Sequence, residues 1–149
     1  MKNAEELLRT SLWGQALTEA EMSRALAGTC ERVYATGAFI CMKGEPVEYW
    51  MGIVDGISSG GWFGEGSLLK EEMRRYDVMA LRETRVALMN RSTFLWLMDH
   101  SIPFNRYLIA QLNERLGQFI GMMENERMLD TDARIARCLA GLFNPVLYP

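Results

Sequence analysis

GWFGEGSLLKEEMRRY, residues Gly61–Tyr76, sets three glycines, three glutamates and two adjacent arginines in one turn-rich segment. Gly61, Gly64 and Gly66 let the backbone take conformations that a Cβ disfavours, and a backbone so freed turns successive N–H groups toward one point. Leu68 and Leu69 predict a short helical turn whose first amides add to that positive field. Arg75 supplies a permanent cation with a planar fork of donors matched to two phosphate oxygens, and the Glu65 carboxylate accepts from sugar hydroxyls. The segment therefore reads as an anion cradle. The competing reading is an ordinary solvated turn closed by a Glu65–Arg75 ion pair.

Composition narrows the classes. A chain of 149 residues, 49% hydrophobic and 23% charged, has enough apolar surface for one well-buried core. A net charge of −3 and a pI near 5.3 exclude a broad basic face for nucleic acid. Cys30, Cys41 and Cys138 have no metal-ligand spacing, and with neither a signal peptide nor a long apolar run the expected location is the cytoplasm, with no membrane partner. His100 is the only histidine, so Ser-His-Asp, Cys-His and multi-histidine metal sites lack their parts. The adjacent carboxylates of Glu71 and Glu72 point apart into solvent, so no catalytic, metal or enzyme site is expected.

The N-terminal part has helical patterning, with Leu7, Leu8, Leu12, Met22, Ala25 and Leu26 at spacings of three to four, and Thr18 with Glu21 forms a capping box. From Arg32 the pattern changes to short β-prone pieces broken by Gly37, Gly44, Gly52 and Gly56, in which Val33, Phe39, Ile40, Tyr49, Trp50, Ile53 and Val54 fit half-buried strands. Lys43-Gly44-Glu45-Pro46 is a tight turn. A second β run carries Val78, Ala80, Val86 and Leu88, and the two runs are expected to pack together. Thr93 opens a short helix with Phe94, Trp96, Leu97 and Met98, and Ser101 with Pro103 starts another. On that last helix Ile109, Leu112, Leu116, Phe119 and Met123 form a seam. The seam fits self-pairing or packing on its own sheet. Asp130 or Thr131 then caps DARIARCLAGLF, with Ile135, Leu139 and Leu142 on one face and Asn144-Pro145 as a stop.

The glycine-spaced hairpins, Phe63-Gly64-Glu65, Arg75, the seam helix and Arg134-Ile135-Ala136 together resemble transcription regulators of the cyclic-AMP receptor protein and fumarate-nitrate reductase regulator superfamily, over nearly the whole chain. The resemblance implies an α+β fold, a double-stranded β-helix or jelly roll with flanking helices and a long central dimerisation helix. It divides the chain into a cyclic-nucleotide-binding-like domain at 1–100, the dimerisation helix at 101–129, and at 130–149 the lead-in to a DNA-binding domain. It makes Gly61–Tyr76 a phosphate-binding cassette in which Glu65 holds the ribose 2′-hydroxyl, Arg75 pairs with the phosphate, and the backbone of Gly64, Glu65, Gly66 and Ser67 adds amides. The implied ligand is a cyclic nucleotide, cAMP or cGMP, and the implied partners are a second copy and, through a domain after Pro149, DNA. The alternative of a regulatory or scaffold module with a vestigial site stays open.

Three departures bear on this. Tyr76 stands where a Ser or Thr donor is usual, and Phe119 and Ile120 stand where adenine-contacting hydroxyls are usual. Between Gly56 and Gly64 only ISSGGWF intervenes, where the family has room for two more strands, so residues are expected to be missing around Ile57 and Ser58.

Overall fold

The computed structural model describes residues 3–57, 59–128, 130–141 and 143. The element order is α1 (Ala4–Thr10), α2 (Leu12–Gln15), α3 (Glu19–Ala27), β1 (Thr29–Tyr34), β2 (Phe39–Cys41), β3 (Tyr49–Asp55), β4 (Trp62–Phe63), α4 (Glu65–Lys70), β5 (Val78–Met79), β6 (Thr84–Asn90), α5 (Arg91–His100), α6 (Ile102–Met128) and α7 (Thr131–Gly141). Contacts divide the chain into two compact units, residues 1–105 and 106–149.

The first unit is α+β with two antiparallel sheets, one ordered β1-β6-β3-β4 and one of β2 and β5. The two β runs meet through β6, which pairs with β3 across Trp50↔Met89 and Gly52↔Ala87 and with β1 across Cys30↔Leu88. Inward residues Cys41, Met51, Val86 and Leu88 form one apolar cluster. A second core is aromatic, with Trp13 of α2, Trp50 of β3, Trp62 of β4, Phe94 of α5 and Phe104 of α6. Trp50 and Trp62 lie 4.3 Å apart, and Trp13 and Phe104 meet edge to face at 5.4 Å. Gly52 makes this stack possible, because a Cβ there would meet the Trp62 ring at 2.7 Å. Burying several large rings in offset and edge contacts fixes the short helices onto the sheet.

Local sequence signals explain the helix ends. The Thr18–Glu21 capping box is present, with Glu21 Oε2 accepting from the Thr18 N–H at 2.7 Å. Burial raises the Glu21 pKa, but hydrogen bonds from Thr18 and the Ser101 hydroxyl outweigh it and hold the carboxyl below its ordinary 4.5. Gly44 takes φ 85 in the predicted turn, where Glu45 N–H donates to Met42 O. Ser101 Oγ accepts from Phe104 N–H at the start of α6. Asp130 caps α7 by accepting from Ala133 N–H at 2.9 Å. Leu142, Asn144 and Pro145 lie outside the described residues.

Several expectations are corrected. The Thr93 helix begins at Arg91, because Asn90 Oδ1 accepts from Thr93 N–H and so caps the turn ahead of it. The first strand begins at Thr29, not Arg32. Val33 and Phe39 are exposed rather than half buried. Among the described residues β1 is an edge strand paired only with β6, and Phe39 sits opposite the exposed Met79 on a sheet of two strands. At the short 56–64 segment the chain turns from β3 to β4, with Ile53 N–H donating to Gly61 O and Gly60 N–H to Ile53 O. Ser58 itself is outside the described residues.

In the second unit, 106–149, Ile109, Leu112, Leu116, Phe119 and Met123 of α6 are all exposed. Gln118 Nε2 donates to Gly141 O at 3.4 Å, tying α6 to α7. No described helix is long and apolar enough to cross a membrane.

Candidate functional site

β4 delivers the chain to Gly64, whose φ of 92° and ψ of 5° lie in the left-handed region that only glycine takes at no cost. That turn starts α4, anchored by the fully buried Leu68. Leu68 N–H reaches Gly64 O at 3.4 Å, so a helix start leaves the amides of Glu65, Gly66 and Ser67 without intrahelical acceptors. The left-handed glycines of this segment are Gly60 and Gly64 rather than Gly61 and Gly66. Glu65 is 4% exposed, while Gly66 and Ser67 are half buried. The helix ends at Glu71, a non-glycine at φ 55°, whose carboxylate pairs with Arg91.

The arginine that faces this turn is Arg74. Arg74 is 6% exposed, and its Nη1 lies so close to Gly64 that a Cβ on the glycine would meet it at 2.5 Å. Its Nη2 donates to Tyr49 O at 2.9 Å, while Nη1 is buried without a hydrogen-bond partner among the described residues. Backbone bonds from Arg74 N–H to Glu45 O and from Gly44 N–H to Arg74 O fasten this segment to the 42–45 turn.

Arg75, assigned the phosphate from the sequence, turns outward. Its side chain is 67% exposed and donates through Nε and Nη2 to Glu72 Oε2 at 2.9 and 2.6 Å. Consecutive residues of an extended chain point to opposite sides, so only one of the two arginines can face the cassette. The Glu65–Arg75 ion pair weighed as the alternative is likewise replaced by Glu72–Arg75. Tyr76 is exposed at a bend, and Phe119 is exposed on α6 in the second unit. The structure thus brings together Gly64, Glu65, Gly66, Ser67 and Arg74. Spacing does not single out Arg74 in the sequence, because the alternation from the inward Val78 and Ala80 is broken by the exposed bend at Tyr76.

Beside Arg74 lies a cavity of about 270 Å³, walled by Arg32 and Tyr34 of β1, Cys41 of β2, Glu45 and Glu48 of the following turn, and Tyr49 of β3. Burial pushes the Cys41 thiol pKa up, and the nearby Arg74 charge offsets this only partly.

With this geometry in place the comparisons are informative. Residues 51–101 match the family described as the cyclic nucleotide-binding domain. The chain has the cyclic nucleotide-binding fold. It is similar to the sensor domain of the transcriptional regulator DNR from Pseudomonas aeruginosa, with a TM-score of 0.68, 16% identity, and cover of 75% of this chain and 92% of that one. The Thermus thermophilus catabolite activator protein gives a TM-score of 0.64 at 22% identity, with cover of 79% and 62%. The regulatory domain of Toxoplasma gondii PKA, solved with cAMP, gives 0.62 at 21% identity, with cover of 71% and 48%. The cyclic nucleotide-binding fold of this chain therefore spans about half the length of that kinase regulatory structure. No curated protein sequence matches this chain.

Proposed function

We propose that this chain is the sensory and dimerisation region of a bacterial-type, cytoplasmic transcription regulator, controlled by a small anionic ligand held in the Gly64–Ser67 and Arg74 cassette. The observation that carries this is Arg74, a buried guanidinium whose Nη1 has no acceptor among the described residues, beside a left-handed glycine turn. A buried cation with an idle donor is costly, and a phosphate oxygen at that point removes the cost. The cyclic phosphate of cAMP or cGMP is the matching group. The amides of Gly66 and Ser67 donate to it, Glu65 accepts from the ribose hydroxyl, and Tyr76 remains at the rim. The role is regulatory rather than enzymatic.

The exposed seam of Ile109, Leu112, Leu116, Phe119 and Met123 fits pairing with the same helix of a second copy, and Phe119 belongs to that seam. DNA contact belongs to a further domain, as in the regulators the chain resembles. Ligand would bias the dimer only as far as it binds one arrangement more tightly. The likeness to a kinase regulatory domain favours a second reading, a regulatory module without DNA. Sedimentation separates the two at the level of assembly: a monomer at all concentrations removes the dimerisation claim. Calorimetry tests the ligand: cAMP or cGMP should bind the wild type and lose most of its affinity in Arg74→Gln. Absence of binding by the wild type refutes the ligand site.

A further inference from the structure

We infer that the groove between α6 and α7 binds a small aliphatic carboxylate, with its chain on Met122, Ile135 and Leu139 and its head group on Arg134 and Arg137. The groove lies wholly within the second unit and encloses about 260 Å³. α6 supplies Met122, while α7 supplies Thr131, Ile135, Cys138 and Leu139, whose spacing of three to four residues puts them on one stripe of that helix. Gln118 Nε2, donating to Gly141 O, holds the two walls together. The stripe is apolar yet open, with Met122 51%, Ile135 54% and Leu139 55% exposed, so covering it with an apolar chain is favourable.

The border of the stripe decides what the chain must carry. Arg134 and Arg137, three residues apart, run along one side of it and line the same groove. Their guanidiniums make no hydrogen bond or ion pair among the described residues. Asp130, four residues before Arg134, is engaged as the α7 cap and accepts from Ala133 N–H at 2.9 Å. Two cations without counterions beside an apolar wall complement an amphipathic anion rather than a neutral chain or an amine. A carboxylate matches the planar guanidinium fork through both of its oxygens. The volume falls just under the roughly 300 Å³ at which ligand sites commonly begin, so the chain is short and octanoate is a fitting probe. None of these residues belongs to the Arg74 cassette, so the groove binds whether or not a nucleotide does.

Cys138 lines the groove, and Cys30 lies on β1 of the first unit; both thiols are exposed, so maleimide labelling read by peptide mass reports on the groove with an internal reference. On the full chain, saturating octanoate should slow labelling of Cys138 at least about fivefold and leave Cys30 unchanged. Octylammonium, of the same length and opposite charge, should protect neither thiol. Arg134→Gln combined with Arg137→Gln, exposed changes to a good helix former, should raise the octanoate concentration for half protection at least about tenfold. Equal protection by octanoate and octylammonium, protection that survives in the double variant, or no protection of the wild type overturns the proposal. A Cys138 that is shielded without octanoate and becomes reactive on dilution assigns the groove to a second copy and overturns it likewise.

Discussion

Replacing Gly64 by alanine tests how the cassette turn and Arg74 depend on each other. Gly64 sits at φ 92°, where a residue with a Cβ is strained by about 1–2 kcal/mol. The new Cβ would also stand 2.5 Å from Arg74 Nη1, 3.5 Å from Cζ and 3.7 Å from Nη2. The guanidinium must retreat, and doing so strains or breaks the 2.9 Å bond from Nη2 to Tyr49 O. A hydrogen bond from a charged donor contributes about 1.5–3 kcal/mol, so Gly64→Ala should cost about 3–5 kcal/mol in total. For a chain of this size that lowers the melting temperature by roughly 6–20 °C. Calorimetric melts of the wild type, Gly64→Ala, Arg74→Ala and the double variant separate the two causes. In the Arg74→Ala background only the backbone strain remains, so the same glycine change should cost about 1–2 kcal/mol. Equal costs in both backgrounds would refute the contact between Gly64 and Arg74.

Other outcomes follow from the same geometry. Gly52→Ala drives a Cβ to 2.7 Å from the Trp62 ring, and overpacking of this kind should cost about 1–3 kcal/mol, read as an earlier denaturant midpoint with altered tryptophan fluorescence. Glu71 occupies a left-handed position at φ 55°, so Glu71→Gly should be more stable than Glu71→Ala by about 1 kcal/mol, both having lost the Arg91 pair. Glu21 has its pKa lowered in the folded chain, so the folded state binds fewer protons there than the unfolded state. Its contribution is complete above the ordinary 4.5 and is lost as pH falls through the lower folded value, so melts from pH 6 down to pH 3 should fall less steeply in Glu21→Gln than in the wild type.

Much of the fold was legible where one short stretch decides its own geometry. The capping box at Thr18 and Glu21, the Gly44 turn, the start of α6 at Ser101 and Pro103, and the helical turn at Leu68 each depend on residues within four positions. Asn90 was missed as a cap because Thr93 offered the same chemistry three residues on, and only the path leaving β6 decides between them. The aromatic core was not legible because Trp13 lies on a helix of four residues, too short for a periodic pattern to reveal which face is covered. In the site, the sequence singled out the Gly64 turn and Glu65, which is buried, but not which of two adjacent arginines lies against that glycine. Arg74 and Arg75 have identical chemistry, and the choice is made by backbone bonds of Arg74 to Gly44 and Glu45, some 30 residues away in sequence.

The most direct test compares the two arginines by calorimetry with cAMP and cGMP. Arg74→Ala removes a buried charged donor from the anion and should weaken the tighter nucleotide at least about thirtyfold. Arg75→Ala removes an exposed ion pair with Glu72 and should change affinity by less than about threefold. A large loss in Arg75→Ala with little change in Arg74→Ala would contradict the account of the site.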